Sequence, residues 1–169
     1  MIFKETQKFR QVWILIILII VTAIEIGVFG YGFIKQVING QQFGENPMSD
    51  TMLTISFVLA TSIVLTILLL FKFANLTTTI DKDVIEYKFF PFHFKTRKIK
   101  WDTVESYEVI TYNPIIEYGG WGIRFGFGKK RAFNVSGDKG LQLHLKNGKQ
   151  ILIGTQKENE LIEFLKKTK

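Results

Sequence analysis

Two long apolar runs near the start of this 169-residue chain constrain its fold more than any other feature. The first covers residues 12–34 and carries one charge, Glu25, and the second covers residues 52–74 and carries one charge, Lys72. A helix of 23 residues, the length of each run, is about 34 Å long and can cross a hydrocarbon core of about 30 Å. Both runs are too uniformly apolar for surface helices of a small soluble domain. The sequence therefore predicts two transmembrane helices.

The first run could instead be the apolar core of a cleaved signal peptide, with Lys8 and Arg10 as its basic region. A cleavage site needs small residues in a small-x-small pattern, whereas "VTAIEIG" (residues 21–27) has branched side chains there. The pattern favours a retained span.

The charges that flank the two spans indicate their orientation. Lys4, Lys8 and Arg10 precede the first span and Lys72 ends the second, whereas residues 35–51 carry one lysine against two acids. Lysine and arginine concentrate on the cytoplasmic side of a membrane. We therefore expect a multi-pass protein of the cell membrane with both termini in the cytoplasm. Residues 1–11 would be a cytoplasmic N-terminus, residues 35–51 an extracytoplasmic loop and residues 76–169 a cytoplasmic domain.

Glu25 lies near the middle of the first span, where a carboxylate costs about 2.5–3.5 kcal/mol on insertion scales. One interpretation is a proton or ion site, or a hydrogen bond to a partner helix. The other is a protonated acid that hydrogen-bonds to hydroxyl groups of the second span. The candidates there are Thr54, Ser56, Thr61, Ser62 and Thr66. Because the first span holds no second charge, we favour the second interpretation.

Composition excludes several classes of site. The chain has no cysteine, which excludes disulfides, thiolate nucleophiles and cysteine-ligated metal centres. The net charge is +7, and residues 76–169 hold seventeen Lys and Arg against eleven Asp and Glu. Beside a membrane, anionic lipid headgroups are the nearest partner for such a surface. The basic residues are dispersed and no recognition helix is visible, so we do not expect a nucleic-acid partner.

From about Thr77 the hydrophobic period changes from that of a helix to that of a strand. Seven short segments alternate apolar and polar residues, at 84–90, 95–101, 105–112, 121–128, 131–135, 141–146 and 150–154. Asn147-Gly148 predicts a hairpin between the last two. Thr155 and Glu158 then form a capping-box pattern before an amphipathic helix. Its apolar stripe is Leu161, Ile162, Phe164 and Leu165.

This order of elements predicts a mixed α+β, mainly β fold. A two-helix transmembrane hairpin would be followed by an antiparallel meander of about seven strands that closes into a β-barrel or a sandwich, and we expect the antiparallel β-barrel. The C-terminal helix would cap the barrel, because its apolar stripe has no other partner.

Several stretches of the soluble part resemble a known family. They are "DKDVIEYKFFPF", "IKWDTVESYEV", "YNPIIEYGGWGIRFG", "FNVSGDKGLQLHLKNGKQILIGTQ" and the final helix. They are similar to the pleckstrin-homology-like (PH-like) domain of bacterial membrane proteins, in a small two-span subgroup of undefined function. "EYGGWGIR" and "GKQILIGTQ" are the more specific stretches for that subgroup. The resemblance implies the capped barrel and brings no catalytic residues with it.

The glycine-rich stretch "EYGGWGIRFG" (residues 117–126) raises the question of a phosphate-binding loop. Neither G-x-x-x-x-G-K-[ST] nor G-x-G-x-x-G occurs there, and a strand pattern follows instead of a helix. That strand would bury Trp121, Ile123, Phe125 and Phe127. Its other face would be a barrel bend, or a groove for a peptide strand of a partner. We call the residues of this groove the groove residues: Glu117, Tyr118, Gly119, Gly120, Trp121, Gly122 and Arg124.

A basic run, Lys129, Lys130 and Arg131, separates two predicted strands. Near a cytoplasmic leaflet each such residue contributes about 1 kcal/mol of attraction to anionic lipid; a solvated hairpin tip is the alternative. His93 and His144 are the only histidines, and each lacks a second ligand for a shared metal, so we expect both at the surface. No nucleophile, metal site or cofactor loop is visible, and we expect neither enzyme activity nor a cofactor.

These observations predict a membrane-anchored, non-catalytic binding or scaffolding protein. Its cytoplasmic domain would contact the inner leaflet through the basic run. The groove residues would contact a protein partner or a second copy of the chain. The alternative is an accessory subunit of a transport or sensing complex that acts through Glu25 and the hairpin.

Overall fold

The computed structural model describes residues 1–126 and 128–168, which divide into two compact units. The helical unit is Gln11–Lys72. The β unit combines Met1–Arg10 with the chain from Phe73 onward. The helical unit is therefore an insertion within the chain that builds the β unit.

Two long helices make up the helical unit. The first runs over Val12–Ile38. It contains α1 (Val12–Glu25), a π-helical turn (Ile26–Gly30), α2 (Tyr31–Phe33) and a second π-helical turn (Ile34–Ile38). The second long helix is α3 (Asp50–Phe73). Both are long and apolar enough to cross a membrane.

The connection between the two helices folds back on the first one. Gln36 is buried, and its Nε2 donates to the Met48 carbonyl and to Asp50 Oδ1, both at 2.7 Å. The Phe43 ring packs on Gly32, where a Cβ atom would stand 2.7 Å from the ring. These contacts satisfy the polar side chain of Gln36 and explain why the helix continues beyond residue 34, its expected end.

The described part of the β unit contains nine strands in two sheets. The first sheet is an antiparallel meander of β1 (Phe3–Lys8), β2 (Asn75–Ile80), β3 (Val84–Phe90) and β4 (Arg97–Lys100). The second sheet has the order β5 (Val104–Thr111), β8 (Lys139–Leu145), β9 (Gln150–Gly154), β7 (Lys130–Asn134) and β6 (Gly122–Phe125). A 3₁₀ turn (Trp101–Thr103) links the sheets, α4 (Pro114–Tyr118) joins β5 to β6, and α5 (Glu158–Thr168) follows β9.

One hydrophobic cluster takes side chains from both sheets and from α5. Alternate residues of a strand share a face, and the apolar positions of β3, β8 and α5 meet in this cluster as the sequence predicts, except that Ile162 of the α5 stripe is only partly buried. They are Ile85, Tyr87 and Phe89; Leu141, Leu143 and Leu145; and Leu161, Phe164 and Leu165. The mixed α+β class and the C-terminal amphipathic helix are thereby confirmed.

The predicted closed, antiparallel barrel is wrong. The described strands form two separate sheets, and β7 pairs with β9 in parallel, with Lys130 opposite Gln150 and Phe133 opposite Ile153. Each of the seven predicted segments overlaps a strand, but β1 and β2 were not predicted. The parallel pair arises because the β6–β7 hairpin adds to the free edge of β9.

The first residues of the chain are part of the β unit, although the sequence placed residues 1–11 outside the domain. β1 pairs with β2 along its whole length, from Phe3 opposite Ile80 to Lys8 opposite Asn75. A fragment that began at residue 76 would therefore lack an integral strand.

Two polar side chains of β1 point inward and hold the end of β9 and the segment that follows it. Glu5 accepts hydrogen bonds from Thr155 Oγ1 and from the Gln156 backbone amide, both at 2.7 Å. Gln7 Nε2 donates to the Gly154 carbonyl at 2.6 Å. The predicted capping box of Thr155 and Glu158 is wrong, because α5 begins only at Glu158, the Thr155 amide donates to the Lys139 carbonyl, and the Thr155 hydroxyl accepts from the Lys157 amide.

Candidate functional site

The glycine-rich stretch begins with a short helix that the sequence did not predict. Asn113 Oδ1 accepts from the Ile115 and Ile116 amides at 3.1 and 3.0 Å, and so caps α4. Glu117 Oε1 accepts from the Asn113 amide at 2.6 Å. Gly119 ends the helix at a φ of 70°, a conformation that favours glycine. The strand β6 follows, as expected, so no helix N-terminus opens from the glycines toward an anion.

A chain of hydrogen bonds holds the turn between α4 and β6. The Gly122 amide donates to Asn134 Oδ1 at 2.9 Å, and Asn134 Nδ2 donates to the Tyr112 hydroxyl at 2.8 Å. Tyr112 and Asn134 are buried, and burial raises the pKa of Tyr112 to about 12. Trp121 Nε1 donates to the Gly137 carbonyl at 2.9 Å. The turn is thus anchored to β7 and to the β7–β8 connection.

The structure places Arg124 against the glycine turn of the groove residues. Arg124 Nε donates to the Trp121 carbonyl at 2.8 Å, so the guanidinium folds back over the glycine turn. A cleft of about 460 Å³ opens beside α4, and it is lined by Glu117 and Trp121 but not by Arg124. The charged residues that line this cleft are Glu117 and Asp138. The cleft beside α4 is therefore acidic.

The predicted burial of one face of β6 is wrong in part. Ile123 packs against the main core, but the Phe125 side chain is 70% exposed. Phe127, the last member of that predicted face, lies outside the described residues. β6 is the last strand of its sheet, so Phe125 lies at an edge that no other described strand covers.

The basic run is exposed but does not form one cluster. Lys130 and Arg131 are neighbours in β7 and therefore point to opposite faces of the sheet. Lys130 lies beside Gly126 on the side of α4. The Arg131 guanidinium lies 5.4 Å from the Phe125 ring centroid, and Lys129 Nζ reaches the Asn147 carbonyl at 3.5 Å.

Arg131 faces the first sheet. The rings of Tyr87 in β3 and Phe133 in β7 have centroids 4.7 Å apart, so the two strands pack together here. Burial raises the pKa of Tyr87 above its ordinary value, and the positive charges of Arg97 and Arg131 oppose this shift. Two guanidinium groups, one from each sheet, thus lie near the same phenol.

His93 is buried beside these groups, which corrects the expectation of a surface histidine. The Phe89 amide approaches Nδ1 at 3.2 Å, and Arg97 Nε approaches Nε2 at 3.1 Å. A neutral imidazole can accept at one nitrogen only, and a protonated one would turn an N–H toward both donors. Burial, and secondarily the charge of Arg97, lower the pKa of His93.

Exposed aromatic side chains at the end of β3 and in the β3–β4 connection were not predicted. Phe90, Phe92 and Phe94 are 44%, 56% and 92% exposed. They alternate in "FFPFHF" (residues 89–94), a pattern that reads as the continuation of a strand. The density of phenylalanine in six residues was the available signal.

Glu25 makes a hydrogen bond within the helical unit. Thr61 Oγ1 in α3 donates to Glu25 Oε1 at 2.7 Å, and Thr61 is one of the hydroxyl residues that the sequence analysis named as possible partners. The other oxygen, Oε2, is buried and has no hydrogen-bond partner among the described residues. The π-helical turn Ile26–Gly30 begins at the next residue. The side chain thus links the two long helices and keeps one oxygen without a partner in the part of the chain that the structure describes.

Among residues 1–126 and 128–168, no group of three or more His, Asp or Glu side chains is arranged so that it could hold a metal ion.

The chain was compared with protein-family models, with curated proteins and with solved structures, and it matches none of them.

Proposed function

We propose that this protein is a membrane-anchored, non-catalytic binding module whose β unit contacts the cytoplasmic leaflet and a protein partner. The observation that carries the proposal is the insertion of both long apolar helices between β1 and β2. A β unit interrupted in this way is tethered to a membrane through two neighbouring strands. Such a tether holds a binding surface next to lipid without any catalytic machinery.

The pairing of β1 with β2 also supports placing the chain before the first helix and the chain after the second helix on the same side of the membrane. Strands of one sheet must lie on the same side of a bilayer, so the helices cross it an even number of times. The lysine and arginine residues that flank the helices favour the cytoplasm as that side. The termini and the β unit would then be cytoplasmic.

A PH-like domain is part of the proposal. Two features of the strands support it. The first sheet is a four-stranded meander, and β5, β8 and β9 form three antiparallel strands that a terminal helix follows. Under this interpretation α4, β6 and β7 are an insertion between β5 and β8. The first strand of the domain would precede the transmembrane hairpin.

Single-cysteine labelling tests the anchor and its orientation, because the natural chain contains no cysteine. Glu45→Cys lies in the connection between the helices, and Lys149→Cys lies in the β8–β9 turn. In intact cells we expect a membrane-impermeant maleimide to label the Glu45→Cys variant, and to label the Lys149→Cys variant only after the membrane is opened. Labelling of the Lys149→Cys variant in intact cells, or of neither variant before opening, would overturn the proposed arrangement.

A second experiment tests leaflet contact through the basic run. The Lys149→Cys protein, labelled with a fluorophore, is reconstituted in lipid discs with and without phosphatidylglycerol and with a headgroup-labelled quencher. We expect stronger quenching with anionic lipid, weakened by salt because exposed charges are screened beyond about 10 Å at 0.1 M. Replacing Lys129, Lys130 and Arg131 by alanine should remove this lipid dependence. Quenching that is indifferent to the triple change would contradict a lipid role for these residues.

The buried, unpaired Oε2 of Glu25 favours a second candidate, an accessory subunit of a transport or sensing complex. Glu25→Gln separates the two functions, since it removes the titratable group but keeps an acceptor for Thr61. Loss of cellular activity with intact membrane insertion would support the second candidate. Unchanged activity would leave the binding module as the function.

A further inference from the structure

The β3–β4 connection is an exposed aromatic loop at a defined end of the first sheet. We call Phe90, Phe92 and Phe94 the aromatic tip. Phe94 is almost fully exposed, at 92%, and the other two are about half exposed. Phe90 ends β3 and the other two lie in the connection that follows it, and exposed aromatic side chains concentrated in this way are typical of an interaction site.

The register of the first sheet places the aromatic tip at the strand ends that continue into the long helices. Asn75, the first residue of β2, lies opposite Lys8 on one side and opposite Phe90 on the other. Asn75 follows the end of α3 by two residues, and Val12 begins α1 four residues after Lys8. By chain length and strand spacing, the Cα atom of Phe90 lies within about 13 Å of the end of α3.

The aromatic tip is also packed onto the residues that lead to the first helix. The Phe89 ring contacts Phe9 on one side and Phe92 on the other, with centroid distances of 6.2 and 6.1 Å. Phe9 comes directly after β1 and joins the main core. The base of the loop is therefore fixed to the β unit by Phe89.

The charge around the aromatic tip suits an anionic surface. Residues 87–97 contain three Lys and Arg and no Asp or Glu. Lys95 is exposed beside Phe94, and Lys8 and Arg10 are exposed where β1 ends. Aromatic side chains beside lysine and arginine are the composition that anchors proteins at membrane interfaces.

We propose that the aromatic tip inserts into the cytoplasmic leaflet of the bilayer that the protein's own helices cross, with Lys95 at the level of the headgroups. The proposal rests on the proposed membrane anchor and adds a third attachment beside the two helix connections. Three attachments would fix the tilt of the β unit on the membrane, which two adjacent connections alone leave free.

Depth measurement by electron paramagnetic resonance tests the insertion in the full chain. A nitroxide is attached at Phe94→Cys, and at Asp83→Cys in the exposed β2–β3 turn as a matched control at the other end of the same strands. Both proteins are reconstituted in discs that contain phosphatidylglycerol. We expect the label at position 94 to collide severalfold more with oxygen, relative to a water-soluble nickel chelate, than the label at position 83. Equal accessibility to nickel at the two positions would overturn the proposal.

Two further variants sharpen the test. A label at Lys95→Cys should move toward water when Phe90, Phe92 and Phe94 are all replaced by serine, whereas a label held by the sheet alone would not move. If the spectrum of the label at position 94 is broadened by the label on a second copy of the chain, the loop contacts that neighbouring copy. This result would overturn insertion into lipid.

Maleimide labelling of the Lys149→Cys variant distinguishes the two possible failures. If the aromatic tip is exposed to water while position 149 is protected in intact cells, only the insertion of the tip is contradicted. If position 149 is labelled from outside the cell, the proposed membrane anchor and its orientation are contradicted.

Discussion

Glu5 in the first strand accepts a hydrogen bond from the Thr155 hydroxyl, 150 residues further along the chain, at 2.7 Å. Both residues are buried, and the other carboxylate oxygen accepts the Gln156 amide. This pair links the two parts of the β unit, because it joins the strand before the helical unit to the segment that leads into α5. The residues before the first helix are thus part of the folded β unit.

Removing the Glu5 carboxylate should destabilise the β unit. Glu5→Ala leaves the Thr155 hydroxyl and the Gln156 amide without their acceptor, and we expect a loss of about 1.5–3 kcal/mol. Thermal unfolding of the full chain in lipid discs, followed by near-UV circular dichroism, measures the change. Lys4→Ala, on the exposed face of the same strand, is the control and should change little. Equal stability of the two variants would contradict the linking role of Glu5.

The bond between Tyr112 and Asn134 should be needed for the turn that follows α4. Tyr112→Phe leaves the buried Asn134 Nδ2 without an acceptor, and we expect a cost of about 1–3 kcal/mol. Hydrogen exchange of the Gly122 amide should rise in the same variant, because Asn134 also holds that amide. Tyr107→Phe, an exposed tyrosine of β5, is the matched control. An unchanged exchange rate at Gly122 would show that Asn134 keeps its position without Tyr112.

His93 should make the stability of the β unit depend on pH. The pKa of His93 is lowered in the folded protein. Below about pH 6.5 the unfolded chain therefore binds a proton at His93 more readily than the folded chain does. Stability should therefore be highest above about pH 6.5 and fall as the pH drops toward the folded pKa. Thermal melts across this range should show a smaller pH dependence for His93→Gln than for the natural chain, with His144→Gln as the control. An identical pH dependence in His93→Gln and the natural chain would show that His93 is not the responsible group.

The hydrogen bond between Glu25 and Thr61 should contribute modestly to the association of the two long helices. Double-mutant cycles for such bonds in membranes average about 0.6 kcal/mol. We expect Thr61→Ala to weaken the hairpin by about this amount in the natural background and to have no further effect once Glu25 is replaced by alanine. Reversible unfolding in mixed detergent micelles measures the four proteins. Additive effects of the two changes would mean that the side chains do not interact.

Local pattern predicted the elements whose inward face is apolar. Ile85, Tyr87 and Phe89 in β3 alternate with polar residues and are buried, and the stripe of α5 packs against the same core. The Asn134 and Tyr112 bond had no such signal, since a buried polar pair looks like two surface residues in the sequence. The aromatic tip was visible as composition, but its place in the fold depends on the register of β2 with β3.

By itself the sequence determined the two long apolar helices and most strands of the β unit, because uncharged runs and period-two alternation are local properties. Only the tertiary structure decided that β1 belongs to the β unit. Its inward positions include Glu5 and Gln7, so the strand carries no hydrophobic alternation, and its partner β2 lies beyond the whole helical insertion. The same holds for the buried His93 and the exposed Phe125. Alternation states which side chains share a face, but the packing of distant segments decides whether that face is covered.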